Sequence, residues 1–117
     1  MNGICEITIG GKKHQLRFSL PARQRMSAKA VQQGIDFTDP ENYTQLLCVL
    51  FHCGLWGEAY RNGKALPSWP ETMDLYEQFG HSETFDADCV TMLGTFTESV
   101  NGPAELLEPV KKKAVKN

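Results

Sequence analysis

"ITIGGKKHQLRFSL", residues 7–20, decides the fold. On either side of Gly10-Gly11, apolar residues alternate with polar ones. Before the glycines, Cys5, Ile7 and Ile9 share one face, and Glu6 and Thr8 share the other. After them, Leu16, Phe18 and Leu20 are apolar, while Gln15, Arg17 and Ser19 are polar. A period of two is the signature of half-buried antiparallel strands. The glycine pair supplies the positive φ that a tight hairpin turn requires. A lone hairpin is marginal in water, so its apolar face must pack on something else.

The rest of the chain supplies helices. Ser19-Leu20-Pro21, Thr38-Asp39-Pro40 and Ser68-Trp69-Pro70 each place a hydroxyl two residues before a proline. In the last two, Glu41 and Glu71 fall three residues after the hydroxyl, the capping-box spacing. Proline is tolerated in a first helical turn because its missing N–H has no intrahelical acceptor there.

These signals predict a first helix over about 21–33, ended by Gly34, with Ala22, Met26, Ala30 and Gln33 along one weakly apolar side. A second starts near Pro40 with a buried stripe of Tyr43, Leu46, Leu47, Leu50, Phe51 and Gly54. It is expected to span about 40–61, closed by Asn62-Gly63, with a stop at Gly54 as the alternative. A third covers about 69–79 and ends at a left-handed Gly80. A fourth spans about 85–101, with Phe85, Cys89, Met92, Leu93, Phe96 and Val100 on one stripe, and Gly102-Pro103 stops it. The expected architecture is α+β: a single domain, residues 1–103, with a hairpin over 4–20 packed on about four helices. Residues 104–117 are expected to form a flexible basic tail.

Composition agrees with an ordinary globular domain, at 41% hydrophobic and 22% charged residues. No apolar run approaches the length of a membrane helix, and Met1-Asn2-Gly3 opens no secretory signal. Cys5, Cys48, Cys53 and Cys89 sit among apolar neighbours, as reduced thiols of a cytosolic protein do. The net charge of −2 hides a division. Residues 1–35 carry six cations against Glu6, residues 36–103 carry two cations against eleven acids, and the tail is again basic. The basic first part and the acidic middle are expected to attract each other, within one molecule or between copies. Nucleic-acid binding is the alternative, weakened by the absence of aromatics interleaved with the basic residues.

Few constellations carry chemistry. Cys48 and His52 lie at i, i+4 with Cys53 adjacent, a spacing that offers two metal ligands. No paired C-x-x-C accompanies them, and the segment is strongly apolar, so a packed core without metal is expected. Cys53 and His52 as a catalytic pair fail because helical neighbours project about 100° apart. No nucleophile elbow, phosphate loop, zincin or dinucleotide signature occurs, and no enzyme or cofactor is expected. The segment "GLWGEAYRNGKALPSW", residues 54–69, brings Leu55, Trp56, Tyr60 and Trp69 together among glycines and prolines. Large aromatics in such a setting are either core plugs or interface anchors.

The order of elements resembles the tail assembly chaperones of long-tailed bacteriophages and their prophage relatives. The resemblance covers about residues 4–100 and rests on the hairpin entering "LRFSL", the stretch "LLCVLFHCGL" and the acidic helix "PETMDLYEQF". It implies a non-enzymatic protein of the bacterial host cytoplasm that keeps the tape-measure protein soluble while the tail tube polymerises. It further implies a homo-oligomer, contact with the tail tube protein, and a longer frameshifted form. A lysine run such as that of "KKKAVKN" can be encoded by a slippery A-rich stretch, and a charged tail explains it without one. The resemblance transfers no catalytic residues. Leu55, Trp56, Tyr60 and Trp69 are the candidate partner-binding residues. The alternatives are a small nucleic-acid-binding or regulatory domain using the basic first third, or a structural joining protein of the virion.

Overall fold

The computed structural model describes the backbone of residues 3–36 and 39–116, and the side chains of residues 3–36 and 39–100. Two strands, β1 (Ile4–Ile9) and β2 (Lys12–Arg17), precede helix α1 (Leu20–Gln33). A single 3-10 turn (Pro40–Asn42) then leads into α2 (Tyr43–Arg61), α3 (Trp69–Gly80) and α4 (Phe85–Lys116). This is the expected α+β arrangement of one hairpin on four helices.

The strands pair antiparallel from Ile4 opposite Arg17 to Ile9 opposite Lys12. Gly10 and Gly11 take φ of 56° and 80° and close the two-residue turn. Beyond the strands, the Phe18 N–H donates to the Gly3 carbonyl at 2.7 Å. Cys5, Ile7, Ile9, Leu16 and Phe18 are buried and join the core cluster of the helices. Leu20 does not. It is 60% exposed, because the backbone leaves the sheet after Phe18 and the period of two ends with it. The outward N–H of Thr8 is held by Asp88 Oδ2 at 2.9 Å, and Thr84 donates to the same oxygen at 2.9 Å. A polar group on the open edge of β1 is thus satisfied by the first turn of α4.

The helix starts differ in how they are capped. Ser68 and Glu71 form the reciprocal capping box expected of α3. Ser19 stands at the N-cap of α1 without a side-chain bond. Before α2, the capping side chain is that of Asp39, which accepts from the Glu41 N–H at 2.9 Å; Thr38, read as the cap, lies outside the described residues. The α-helix proper begins only at Tyr43. At the other ends, Gly34 takes the left-handed C-cap of α1. Gly80 does not do so for α3: it stays within the helix and His81 is the C-cap.

Helix α2 runs unbroken through Gly54 to Arg61, which settles the alternative the sequence leaves open. It is the central element, packed on β2, α1, α3 and α4. Its middle is therefore buried nearly all round, His52 and Cys53 included, instead of along one stripe. Gly54 and Gly57 face the hairpin. A Cβ on Gly54 would stand 2.8 Å from Leu16 Cβ, and one on Gly57 would run into the Arg17 carbonyl and lie 2.8 Å from Ala22 Cβ. These glycines set how closely α2 crosses the end of β2. On the opposite side, Phe51 stacks on Phe79 with ring centroids 5.3 Å apart, and Phe85 meets Phe79 edge-on at 4.8 Å.

The expected stop of the last helix at Gly102-Pro103 does not occur, since α4 stays helical to Lys116. Proline withholds the amide that the Ser99 carbonyl would accept. Arg23 Nη1 donates to that oxygen instead, at 2.9 Å. The side chains and contacts of the tail, residues 104–117, lie outside the described residues.

Candidate functional site

On α2, His52, Trp56 and Tyr60 follow one another at intervals of four and so form one row along the helix. Arg25 and Lys29, also four apart, face this row from α1, and Trp69 faces it from the start of α3. Tyr60 stacks on Trp56, with centroids 5.0 Å apart and planes 8° from parallel. The Arg25 guanidinium lies over the same indole, 5.8 Å from its centroid. One turn deeper, Trp69 meets the His52 ring edge-on at 5.2 Å, and Lys29 Nζ lies 5.0 Å from the Trp69 centroid. The row thus passes from a fully buried imidazole, through one half-buried indole, to a phenol 55% exposed.

Three of the four candidate residues therefore come together. Leu55 projects about 100° away from Trp56. It packs on the core and lines a shallow pocket of about 300 Å³ with Lys13, His14, Gln15 and Glu58. Trp69 also leans on the core, whereas Trp56 rests on Tyr60 and Arg25. Burial thus divides the segment: Leu55 packs on the core, whereas Trp56 is half-buried and Tyr60 exposed.

His52 is held by a defined set of partners. Thr72 Oγ1 donates to the Ser68 carbonyl at 2.8 Å, so it accepts from His52 Nδ1–H at 2.9 Å. That leaves Nε2 as an acceptor, 3.5 Å from Arg25 Nη2. Burial first, then the charges of Arg25 and Lys29, lower the imidazole pKa to about 4, so the ring is neutral at pH 7. Cys48 does not share a site with it, because its thiol turns to the Tyr76 hydroxyl while His52 turns to Thr72. Burial pushes the sealed Cys53 thiol up to about 12, against the opposing pull of Arg25 and Lys29. Among the described residues, no three His, Cys, Asp or Glu side chains converge in a way that could hold a metal ion. All four cysteines are free thiols.

Two further places lie apart from this row. A groove of about 530 Å³ runs between the hairpin turn and the α3–α4 connection, lined by Thr8, Gly10, Gly11, Gln78, His81 and Thr84 among others. Glu58 accepts from Arg17 at 2.9 Å, Gln15 at 3.1 Å and Asn62 at 3.0 Å. Partial burial raises its pKa, but these hydrogen bonds and the Arg17 charge outweigh that and lower it. Here the basic first third meets the acidic middle of the chain, as the charge division suggests.

Arg25, Lys29 and His52 are the members of the site that reading the aromatic segment alone misses. The only sequence signal for the first two is a pair of cations one turn apart on a helix with little apolar face. Among the described residues, no helix is long and apolar enough to cross a membrane. No family model, no curated protein and no solved structure matches this chain.

Proposed function

We propose that this protein is a non-enzymatic tail assembly chaperone, which binds the tape-measure protein and keeps it soluble while the tail tube polymerises. The observation that supports this reading is the half-exposed Trp56–Tyr60 stack, an apolar surface at the end of the central helix on a body that is acidic over residues 36–103. A long helical protein whose apolar faces have no partner until the tube closes needs such a surface, not a reaction centre. The fate of the reactive side chains supports the non-enzymatic part. His52 is neutral and tied to Thr72, and Cys53 is sealed in the core.

The nucleic-acid alternative finds less support. Arg17 is paired with Glu58, Lys13 with Glu6, and Arg23 with the Ser99 carbonyl, while Arg25 and Lys29 cover indole rings. Lys13, Arg17 and Arg23, three of the six cations in the basic third, are thus engaged by oxygen acceptors, and the indole faces on which bases would stack are already covered. Homo-oligomerisation, contact with the tail tube protein and a bacterial cytoplasmic setting belong to the same proposal.

Co-expression with the tape-measure protein encoded beside it tests the reading. The tape-measure protein should shift from the pellet to the soluble fraction. Trp56→Ala should reduce that fraction by more than its effect on melting temperature explains. A tape-measure protein that stays as insoluble as before, together with duplex DNA binding of steep salt dependence, would replace this reading with the nucleic-acid one.

A further inference from the structure

Among the described residues, Arg25 and Lys29 have no carboxylate partner: the ion pairs are Arg17–Glu58 and Lys13–Glu6. Arg25 Nη2 reaches only His52 Nε2, at 3.5 Å, and its buried Nε has no acceptor. Lys29 Nζ holds one neutral oxygen, that of the Gln32 side chain, at 2.8 Å. A guanidinium carries five donors in a fork that matches a carboxylate, and an ammonium carries three. Both groups are thus held in place by aromatic rings with most of their donors unused.

Their spacing limits what fits. Residues four apart on a helix stand about 6 Å from each other, and so do two acids one turn apart on the flank of another helix. Next to Arg25, and one turn from Lys29, the exposed part of the Trp56–Tyr60 stack offers the apolar strip that such a helix would cover. We infer that this face receives an amphipathic helix of a partner protein, its apolar stripe laid along Trp56 and Tyr60 and two acidic side chains, one turn apart, paired with Arg25 and Lys29. The inference rests on reading this face as the partner surface and adds the chemistry of what it recognises.

Two other occupants fit less well. A single-stranded nucleic acid needs open ring faces for its bases, yet Tyr60 and Arg25 already lie over Trp56, and Lys29 lies over Trp69. The helix of a second copy that exposes acids one turn apart within it is α3, with Glu71, Asp74 and Glu77, and it turns Phe79, Tyr76 and Leu75 into the core. That helix has acids without a free apolar stripe.

The test uses the whole chain and two synthetic helices of about 18 residues, or five turns. Both carry the same leucine stripe; one has glutamates one turn apart on its flank, the other lysines. Titrations followed by tryptophan fluorescence should show the glutamate helix binding at least about 10-fold tighter, an advantage that shrinks in 1 M salt. Lys29→Gln and Arg25→Gln should each cut the advantage to about 2-fold or less, while Arg25→Lys should retain part of it because the charge stays. Tyr60→Ala, at an exposed position, should weaken both helices alike. Equal affinity for the two helices, no binding of either, or a preference that survives both glutamine variants would overturn the inference. So would displacement of the glutamate helix by single-stranded oligo(dT), or a dimer in sedimentation that Lys29→Gln dissociates. Solubilisation of the tape-measure protein without a charge preference would sink this inference alone. A charge preference without solubilisation would sink the chaperone reading and leave the helix-binding face.

Discussion

Arg23 Nη1 donates a 2.9 Å hydrogen bond to the Ser99 carbonyl, the oxygen that Pro103 leaves without its helical amide. The first turn of α1 thereby repairs an interruption in α4. Charge-assisted bonds to otherwise unpaired carbonyls contribute about 1–3 kcal/mol. Arg23→Met should lower stability by about that amount in urea unfolding. Pro103→Ala restores an amide beneath Ser99, so the Arg23→Met cost should fall by about 1 kcal/mol in that background. Additive effects of the two changes would show that the bond does not compensate for the proline.

Gly57 has no room for a methyl group. Its Cβ would meet the Arg17 carbonyl, which is backbone and cannot rotate away. Gly57→Ala should therefore destabilise the domain by about 2–4 kcal/mol, although alanine is the better helix former by about 1 kcal/mol. Thermal unfolding compared with Gly94→Ala, where a Cβ meets nothing within 4 Å, separates the two effects, since that change should stabilise.

His52 makes stability depend on pH in a defined window. Unfolded, the imidazole titrates near 6.5, and in the fold it titrates near 4. Between these values the unfolded chain binds a proton that the native one refuses, so acid favours unfolding. The His52 contribution should be flat above about pH 6.5, decline by about 3 kcal/mol as the pH falls to about 4, and level off below. His14, lowered by partial burial and then by Lys12, adds a decline of the same sign. Urea titrations at several pH values should show most of the slope in this window vanish in His52→Gln.

Core and surface aromatics should separate cleanly. Phe18 is 1% exposed and meets Phe96 edge-on with centroids 5.8 Å apart. Phe18→Ala should cost about 3–5 kcal/mol. Tyr60→Ala, at 55% exposure, should cost less than about 1 kcal/mol. A Tyr60→Ala melt depressed as far as that of Phe18→Ala would place the phenol in the core.

Association between copies through the divided charge should weaken with salt, because exposed charges are screened over about 8 Å at physiological ionic strength. Sedimentation at low and high salt measures this. A monomer at every concentration and salt would confine the attraction to contacts within the molecule, of which Arg17–Glu58 is one.

The hairpin, the Ser68–Glu71 capping box and the Gly34 cap are legible in the sequence because each depends on residues a few positions apart. The alternation of Ile7, Ile9, Leu16 and Phe18 chooses the buried face before any helix is considered. Likewise Ala22, Met26 and Ala30, expected along one side of α1, are its buried residues. Where two local signals competed, the sequence alone did not settle the matter. Gly54 reads as a passage more than as a stop, and only the proximity of Leu16 shows that it is a crossing point. Pro103 reads as a stop, yet Arg23, distant in sequence, answers the carbonyl it orphans. The four residues of the aromatic segment look equivalent as text. The packing of α1 and α3 against α2 turns Leu55 to the hairpin, buries part of Trp69 beneath Lys29 and leaves Trp56 and Tyr60 beside Arg25. Local hydrogen bonds and periodicity act over a few residues and are written in order along the chain. Burial and charge pairing act through space, so they are decided only when the elements meet.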